Sequence, residues 1–286
     1  MTLVEKKAWK GFVSVCENFL GNTRSVNYEE IVHEMLSAYH AMGCKMSIKL
    51  HHLHAHLNIL IVLYYVFVKH LGPKMMANRE PFELKRVIIV YNMLQVVING
   101  VIFGKVTFYI NCSLHNITLL CTENALGKLE FRLVYAYFLL KIADFMDTIF
   151  FVLRKRSNQI SFLHVYHHIL MCLGGYVGIR YIPGGHGTAL GILNTFVHVV
   201  MYFYYLITAY RPGLRNSLWW KKHITQLQII QFLLLMVHFT RPLFHSSCGY
   251  PQFMSIFGVL QAIVMSALFL NFYIRTYVLK PQVKSD

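Results

Sequence analysis

Three imidazoles stand within five residues at His164-Val165-Tyr166-His167-His168. In a helix, offsets of three and four residues bring side chains onto one face, so His164, His167 and His168 form one cluster. Imidazole takes or gives a proton near neutral pH, attacks acyl groups, or ligates a metal ion. The flanking residues are apolar over a length that suits a membrane span. Ionisable groups are costly there, so several together mark a functional site.

Three more segments carry polar residues at helical steps. In 141–148, Lys141, Asp144, Asp147 and Thr148 share a face. Lys141 and Asp144 make an i, i+3 ion pair, equally suited to locking the bundle and to forming part of a site. Asp147 has no second lysine and points more strongly to chemistry. In 194–205, Asn194, His198, Tyr202 and Tyr205 form a stripe. Alone, His198 would read as a core histidine; beside three other polar segments it reads as functional. Tyr204 is assigned to an aromatic belt at the headgroups. In 225–231, Thr225, Gln228 and Gln231 recur at three-residue steps, either as substrate contacts or as bridges between helices.

These side chains need helices to carry them. The 286-residue chain is 56% apolar and 14% charged, with a mean hydropathy of +0.46. Soluble domains carry about 25% charged residues, so this is an integral membrane protein of the all-α class. Spans of roughly 20 residues are predicted at seven places: 57–71, 87–106, 131–153, 161–182, 188–210, 219–239 and 252–279. Residues 1–56 form a separate lead-in, 57–280 the transmembrane domain and 281–286 a tail. The first 50 residues lack the early apolar core of a cleavable signal peptide.

The net charge is +15, and its cations cluster in alternate loops: Lys74, Arg79, Lys85 and Arg86; Arg154, Lys155 and Arg156; Arg211, Arg215, Lys221 and Lys222; and Lys280 and Lys284 in the tail. The excess of Lys and Arg on cytoplasmic loops then places the N-terminus in the lumen and the C-terminus in the cytosol. Clustering in short loops argues against nucleic acid and for membrane lipid headgroups or an anionic substrate. The second loop, on the lumenal side, carries the glycosylation acceptor Asn116-Ile117-Thr118 and a poorer one, Asn111-Cys112-Ser113. Cys112 and Cys121 in the same loop and Cys248 in the sixth loop also fall on the lumenal side. A Cys112–Cys248 disulfide is expected, three free thiols being the alternative.

Depth unites the stripes. At roughly 1.5 Å per residue, Asp147 lies about 10 Å below the cytosolic surface, the histidine cluster about 5–10 Å, Gln228 roughly 12 Å and His198 about 18 Å. Below them the helices are nearly pure Leu, Ile, Val, Phe and Met. A polar chamber over an oily tunnel, capped by basic loops, suits a long acyl chain with a large anionic head, the shape of acyl-CoA.

The four segments in this order resemble the very-long-chain fatty acid elongases, membrane 3-ketoacyl-CoA synthases of the endoplasmic reticulum. That family carries K-x-x-E-x-x-D-T, H-x-x-H-H, H-x-x-M-Y-x-Y-Y and T-x-x-Q-x-x-Q. They stand here at 141–148, 164–168, 198–205 and 225–231. The stretch 71–82 and Tyr91-Asn92 are also similar to the family's first loop and second helix, so the likeness spans about 57–280. Asp144 stands where the family has Glu, one methylene shorter, and Thr195 where Ser is commoner. The tail lacks a dilysine retrieval signal, and the lead-in does not resemble the family.

The resemblance implies seven helices, the last six ringing a narrow acyl tunnel, in the endoplasmic reticulum membrane. It implies condensation of acyl-CoA with malonyl-CoA to 3-oxoacyl-CoA, CoA and carbon dioxide, with no metal and no cofactor. Companion enzymes of the elongation cycle and self-association are implied partners. Val165 stands where elongases of shorter saturated chains have Trp, which points to longer or polyunsaturated substrates.

For that chemistry, His167 is expected as the nucleophile, with His198 facing it. His164 and His168 would orient the thioesters and stabilise oxyanions. Asp147 would fix an imidazole tautomer. Asn194, Tyr202, Gln228 and Gln231 would position substrates. Cys172, on the same helix below the cluster, reads as packing, because no cation there favours its thiolate. One rival is a di-iron desaturase or hydroxylase. Such enzymes need about eight histidines in three boxes, and His51-His52-Leu53-His54-Ala55-His56, the remaining cluster, is predicted on the far side. Another rival is a transporter with a proton relay, though neither repeats nor broken helices are visible.

Overall fold

The computed structural model describes residues 47–112, 128–182, 184–211, 213–214, 217–244 and 250–279. These residues are all helix and connecting turns, with no strand among them. Helix α1 (Ser47–Val66) runs through a π-helical turn (Phe67–Leu71) into the short α2 (Gly72–Met76). Then come α3 (Lys85–Cys112), α4 (Lys128–Ala143), α5 (Phe145–Leu153) and α6 (Phe162–Tyr181). They are followed by α7 (Thr188–Tyr210), α8 (Leu218–Phe244) and α9 (Gln252–Tyr273), which ends in a second π-helical turn, Ile274–Val278.

Six described helices are long and apolar enough to cross a membrane: His56–Met76, Lys85–Phe108, Phe162–Tyr181, Gly185–Tyr210, Leu218–Phe244 and Gln252–Val278. The predicted third span differs. It is made by α4, of 16 residues, and α5, of 9 residues, stacked end to end with Asp144 at the joint. A seventh crossing therefore depends on both pieces, and it breaks where Lys141, Asp144 and Asp147 crowd one face.

With lipid on the outside, helix association rests on close packing and on polar contacts rather than on expulsion of water. Helix α3 lies along α7, α8 along α9, and α4 against α6. One apolar cluster gathers Leu57, Tyr64, Phe138, Phe145, Val165 and Cys172 from α1, α4, α5 and α6. A second gathers Tyr166, Phe232, Leu235, Phe239, Ala262 and Met265 from α6, α8 and α9. Gly258 of α9 permits one close approach: a Cβ there would sit 2.7 Å from the Phe239 ring. Gly72 permits another, since its Cβ would meet Val152 of α5 at 2.6 Å.

The turn before α3 and the turn after α5 meet at one end of the bundle. The Phe82 amide bonds the Leu153 carbonyl at 3.1 Å, and Lys155 Nζ reaches the Ala77 carbonyl at 3.2 Å. Elsewhere His186 and His238 stack with centroids 3.7 Å apart. Each Nε2 donates to the other's backbone carbonyl, at 3.0 and 2.9 Å, tying the start of α7 to α8. Residues 1–46, the acceptor Asn116 and the tail lie outside the described residues, as do Cys248 and the side chain of Cys112.

Candidate active site

The histidine cluster begins where its helix begins. Ser161 caps α6, its hydroxyl accepting the His164 amide at 3.2 Å, so His164 occupies the first turn and His167 and His168 the next. His164 Nε2 meets Thr148 Oγ1 of α5 at 2.9 Å, and that hydroxyl also meets the Tyr64 hydroxyl of α1 at 2.7 Å. The His164 and His168 rings are 4.3 Å apart, and His168 lies 5.7 Å from His167. His168 is buried. His167 is half-buried and makes no hydrogen bond to any described residue, which leaves its ring nitrogens open. Tyr166 points elsewhere, donating its hydroxyl proton to Gln261 Oε1 of α9 at 2.5 Å.

A second network surrounds Lys141, which is 1% exposed. Its ammonium donates to Asp144 Oδ2 at 2.8 Å and Asn194 Oδ1 at 2.9 Å, and lies 3.4 Å from His198 Nδ1. It also sits 5.0 Å from the centre of the Tyr137 ring, whose hydroxyl donates to Asn194 Oδ1 at 2.9 Å. Three N–H groups thus face three acceptors, an arrangement in which His198 accepts at Nδ1 and carries its proton on Nε2. Asp144 Oδ2 is 3.7 Å from the same Nδ1. Tyr202 donates to Asp147 Oδ2 at 2.5 Å and approaches Asp144 Oδ1 at 3.3 Å.

The two networks meet on one turn of α5. Asp144, at its N-terminus, stands beside His198; Thr148, four residues on, holds His164. The carboxylate next to an imidazole is therefore Asp144, whereas Asp147 is engaged by Tyr202. The reason is register. Lys141, Asp144 and Asp147 step by three residues against Asn194, His198 and Tyr202, which step by four, so the second and third levels pair Asp144 with His198 and Asp147 with Tyr202.

The remaining candidates spread out. Gln231 is buried, and its Oε1 has no partner among the described residues. Gln228 donates from Nε2 to Met201 Sδ at 3.7 Å. The Thr225 hydroxyl bonds its own helix at the Lys221 carbonyl. Tyr205 is 40% exposed, its ring 6.0 Å from that of Tyr202. Tyr204, assigned from the sequence to the headgroup belt, is buried and stacks on Trp220. Cys172 is fully buried in the apolar cluster beneath the box.

Five participants were not singled out as site residues from the sequence: Tyr64, Tyr91, Gln95, Asn99 and Tyr137. Three carry a legible signal, because Tyr91, Gln95 and Asn99 recur every four residues along one face of a largely apolar helix. Gln95 Nε2 donates to Asp144 Oδ1 and to the Tyr91 hydroxyl, both at 2.9 Å.

A buried amine, two carboxylates and four imidazoles, on helices of a multi-pass membrane protein, match the motifs in order. Residues 50–285 match the family model described as ELO: GNS1/SUR4 family. The chain belongs to the very-long-chain fatty acid elongase family. It is 43% identical over 231 residues to very long chain fatty acid elongase 7 of Drosophila melanogaster, covering 77% of this chain and 68% of the fly protein. It is 40% identical over 218 residues to very long chain fatty acid elongase 4 of Homo sapiens, covering 75% of this chain and 69% of the human one. Against very long chain fatty acid elongase 7 of Rattus norvegicus it is 40% identical over 231 residues, 77% of this chain and 79% of the other. Among the described residues no three His, Cys, Asp or Glu side chains are grouped to hold a metal ion.

Proposed function

We propose that the chain condenses a long-chain acyl-CoA with malonyl-CoA, giving 3-oxoacyl-CoA, free CoA and carbon dioxide, the first step of a fatty acid elongation cycle. The observation that carries this reading is the single turn of α5 from Asp144 to Thr148, which gathers His198 and the histidine box at one buried place. Family membership supplies the reaction class.

A ring nitrogen of His167 attacks the thioester carbonyl, and the carbon–sulfur bond breaks. CoA leaves as a thiolate, which takes up a proton. The malonyl carboxylate leaves as carbon dioxide, and its electron pair becomes an enolate. The enolate carbon attacks the acyl-imidazole carbonyl, the new carbon–carbon bond forms, and His167 departs with its lone pair. Overall one proton is consumed. His164 and His168 orient the thioesters. His198, holding its proton on Nε2, is suited to donate to an oxyanion. Lys141, held by Asp144, fixes that tautomer by donating to Nδ1, Tyr202 ties in Asp147, and Asn194, Gln228 and Gln231 contact substrate. Tyr205 and Thr225 complete the polar wall.

The enzyme is placed in the endoplasmic reticulum membrane with its basic loops toward cytosolic CoA esters, beside the reductases and dehydratase that would consume its product. The test is purified protein with a ladder of acyl-CoAs and carboxyl-labelled malonyl-CoA. Labelled carbon dioxide released in step with 3-oxoacyl-CoA is expected. Absence of both across the ladder, with iron found in the protein, would sink the reading in favour of a di-iron enzyme.

A further inference from the structure

Gln95 is buried, 2% exposed, in the middle of α3, where an amide in a lipid-embedded helix needs partners for all its groups. It has them. Its Oε1 accepts from Asn99 Nδ2 at 3.0 Å, a nitrogen also held by the Gln95 backbone carbonyl at 2.8 Å. This contact settles which end of the amide is which. Nε2 then uses one proton on the Tyr91 hydroxyl and the other on Asp144 Oδ1, each at 2.9 Å. An amide so fully engaged has one orientation.

Asp144 is the recipient. It sits at the joint between α4 and α5, 2% exposed, on a side chain too short to choose its own direction once both oxygens are claimed. Oδ2 is drawn toward Lys141 and lies 3.7 Å from His198 Nδ1. Oδ1 faces the opposite way, toward α3, where Gln95 donates to it at 2.9 Å, a shorter bond than the one from Tyr202 of α7 at 3.3 Å. Among the described residues, the Gln95 bond is the one that links the carboxylate facing His198 to α3. With Oδ1 pinned, the carboxylate cannot rotate about its axis, and Oδ2 stays aimed at the lysine and the imidazole.

We infer that Gln95 is a positioning residue for the condensation: it orients the Asp144 carboxylate, and through it Lys141 and the His198 ring, by a reach that matches the short acid. The inference rests on the proposed site. A misplacement of about 1 Å in catalytic geometry can cost on the order of a hundredfold in rate, so a positioning contact acts on turnover more than on substrate affinity.

The experiment moves one methylene from one side chain to the other. Gln95→Asn pulls the amide back, and Asp144→Glu pushes the acid forward; the pair Q95N/D144E restores the summed length. Each single change is expected to lower kcat by roughly tenfold to a hundredfold with KM for acyl-CoA within about twofold. The double variant is expected to recover to within about threefold of the wild type, far above the product of the singles. A double variant no better than that product overturns the inference, as does a Q95N enzyme with unchanged kcat. Gln95→Met, which keeps the volume and loses the donors, gives a second reading should Q95N not purify as a monodisperse species. It is expected to lose kcat at unchanged KM, and unchanged kcat overturns the inference equally. Failure of the wild type to condense any acyl-CoA would instead sink the function proposed above.

Discussion

His167 and Cys172 lie on one helix with opposite expectations. His167 is half-buried, with ring nitrogens bonded to none of the described residues, while Cys172 is sealed in apolar packing. His167→Ala is expected to remove condensation by more than about a hundredfold and to abolish an acyl-enzyme detectable by intact-mass spectrometry. A stable acyl adduct on that variant would move the nucleophile elsewhere. Cys172→Ala is expected to keep turnover within about threefold, since only a small packing group is lost. Lys141 offers a different test. Its removal in Lys141→Met strands the buried Asp144 charge, a loss of about 3–5 kcal/mol, seen as a lowered midpoint in thermal unfolding in detergent. Adding Asp144→Asn, which removes the stranded charge, is expected to return part of that stability without returning activity.

At the scale of elements, α5 is the organising piece. Nine residues long, it carries Asp147 and Thr148 and follows directly on Asp144. Its start at Asp144 sets which carboxylate meets which partner on α7. The α8–α9 pair is held by a different device, the contact of Gly258 with Phe239. Gly258→Val is expected to destabilise the protein by about 1–3 kcal/mol through overpacking, and Phe239→Leu in the same chain to relieve part of it. Additive losses, read from thermal midpoints of the two singles and the double, would show that the two positions do not press on each other. A polar stripe such as Tyr91-Gln95-Asn99 is readable from spacing, but what it touches is not. The side chain it serves, Asp144, lies 49 positions away in the chain.

At the scale of the molecule, the basic turns before α3 and after α5 join at one end of the bundle, so they share one face of the membrane. In sealed microsomes a C-terminal tag is therefore expected to be protease-accessible, and Asn116, if glycosylated, to carry a glycan removable by endoglycosidase only after the membrane is opened. A protected tag would invert the topology and separate the histidine box from cytosolic CoA esters.

The membrane class, the order of the four motifs and the sharing of a face by His164, His167 and His168 were settled by the chain alone. Helical spacing is local, fixed by about 1.5 Å of rise and 3.6 residues per turn. What helices do to one another is not local. The pairing of Asp144 with His198, the capture of Asp147 by Tyr202, the recruitment of Gln95 and Tyr64, and the burial of Tyr204 in place of Tyr205 all depend on how far each helix is rotated and slid against its neighbour. That is decided by side chains interlocking across the whole bundle, and a shift of one residue on α7 would pair every level differently.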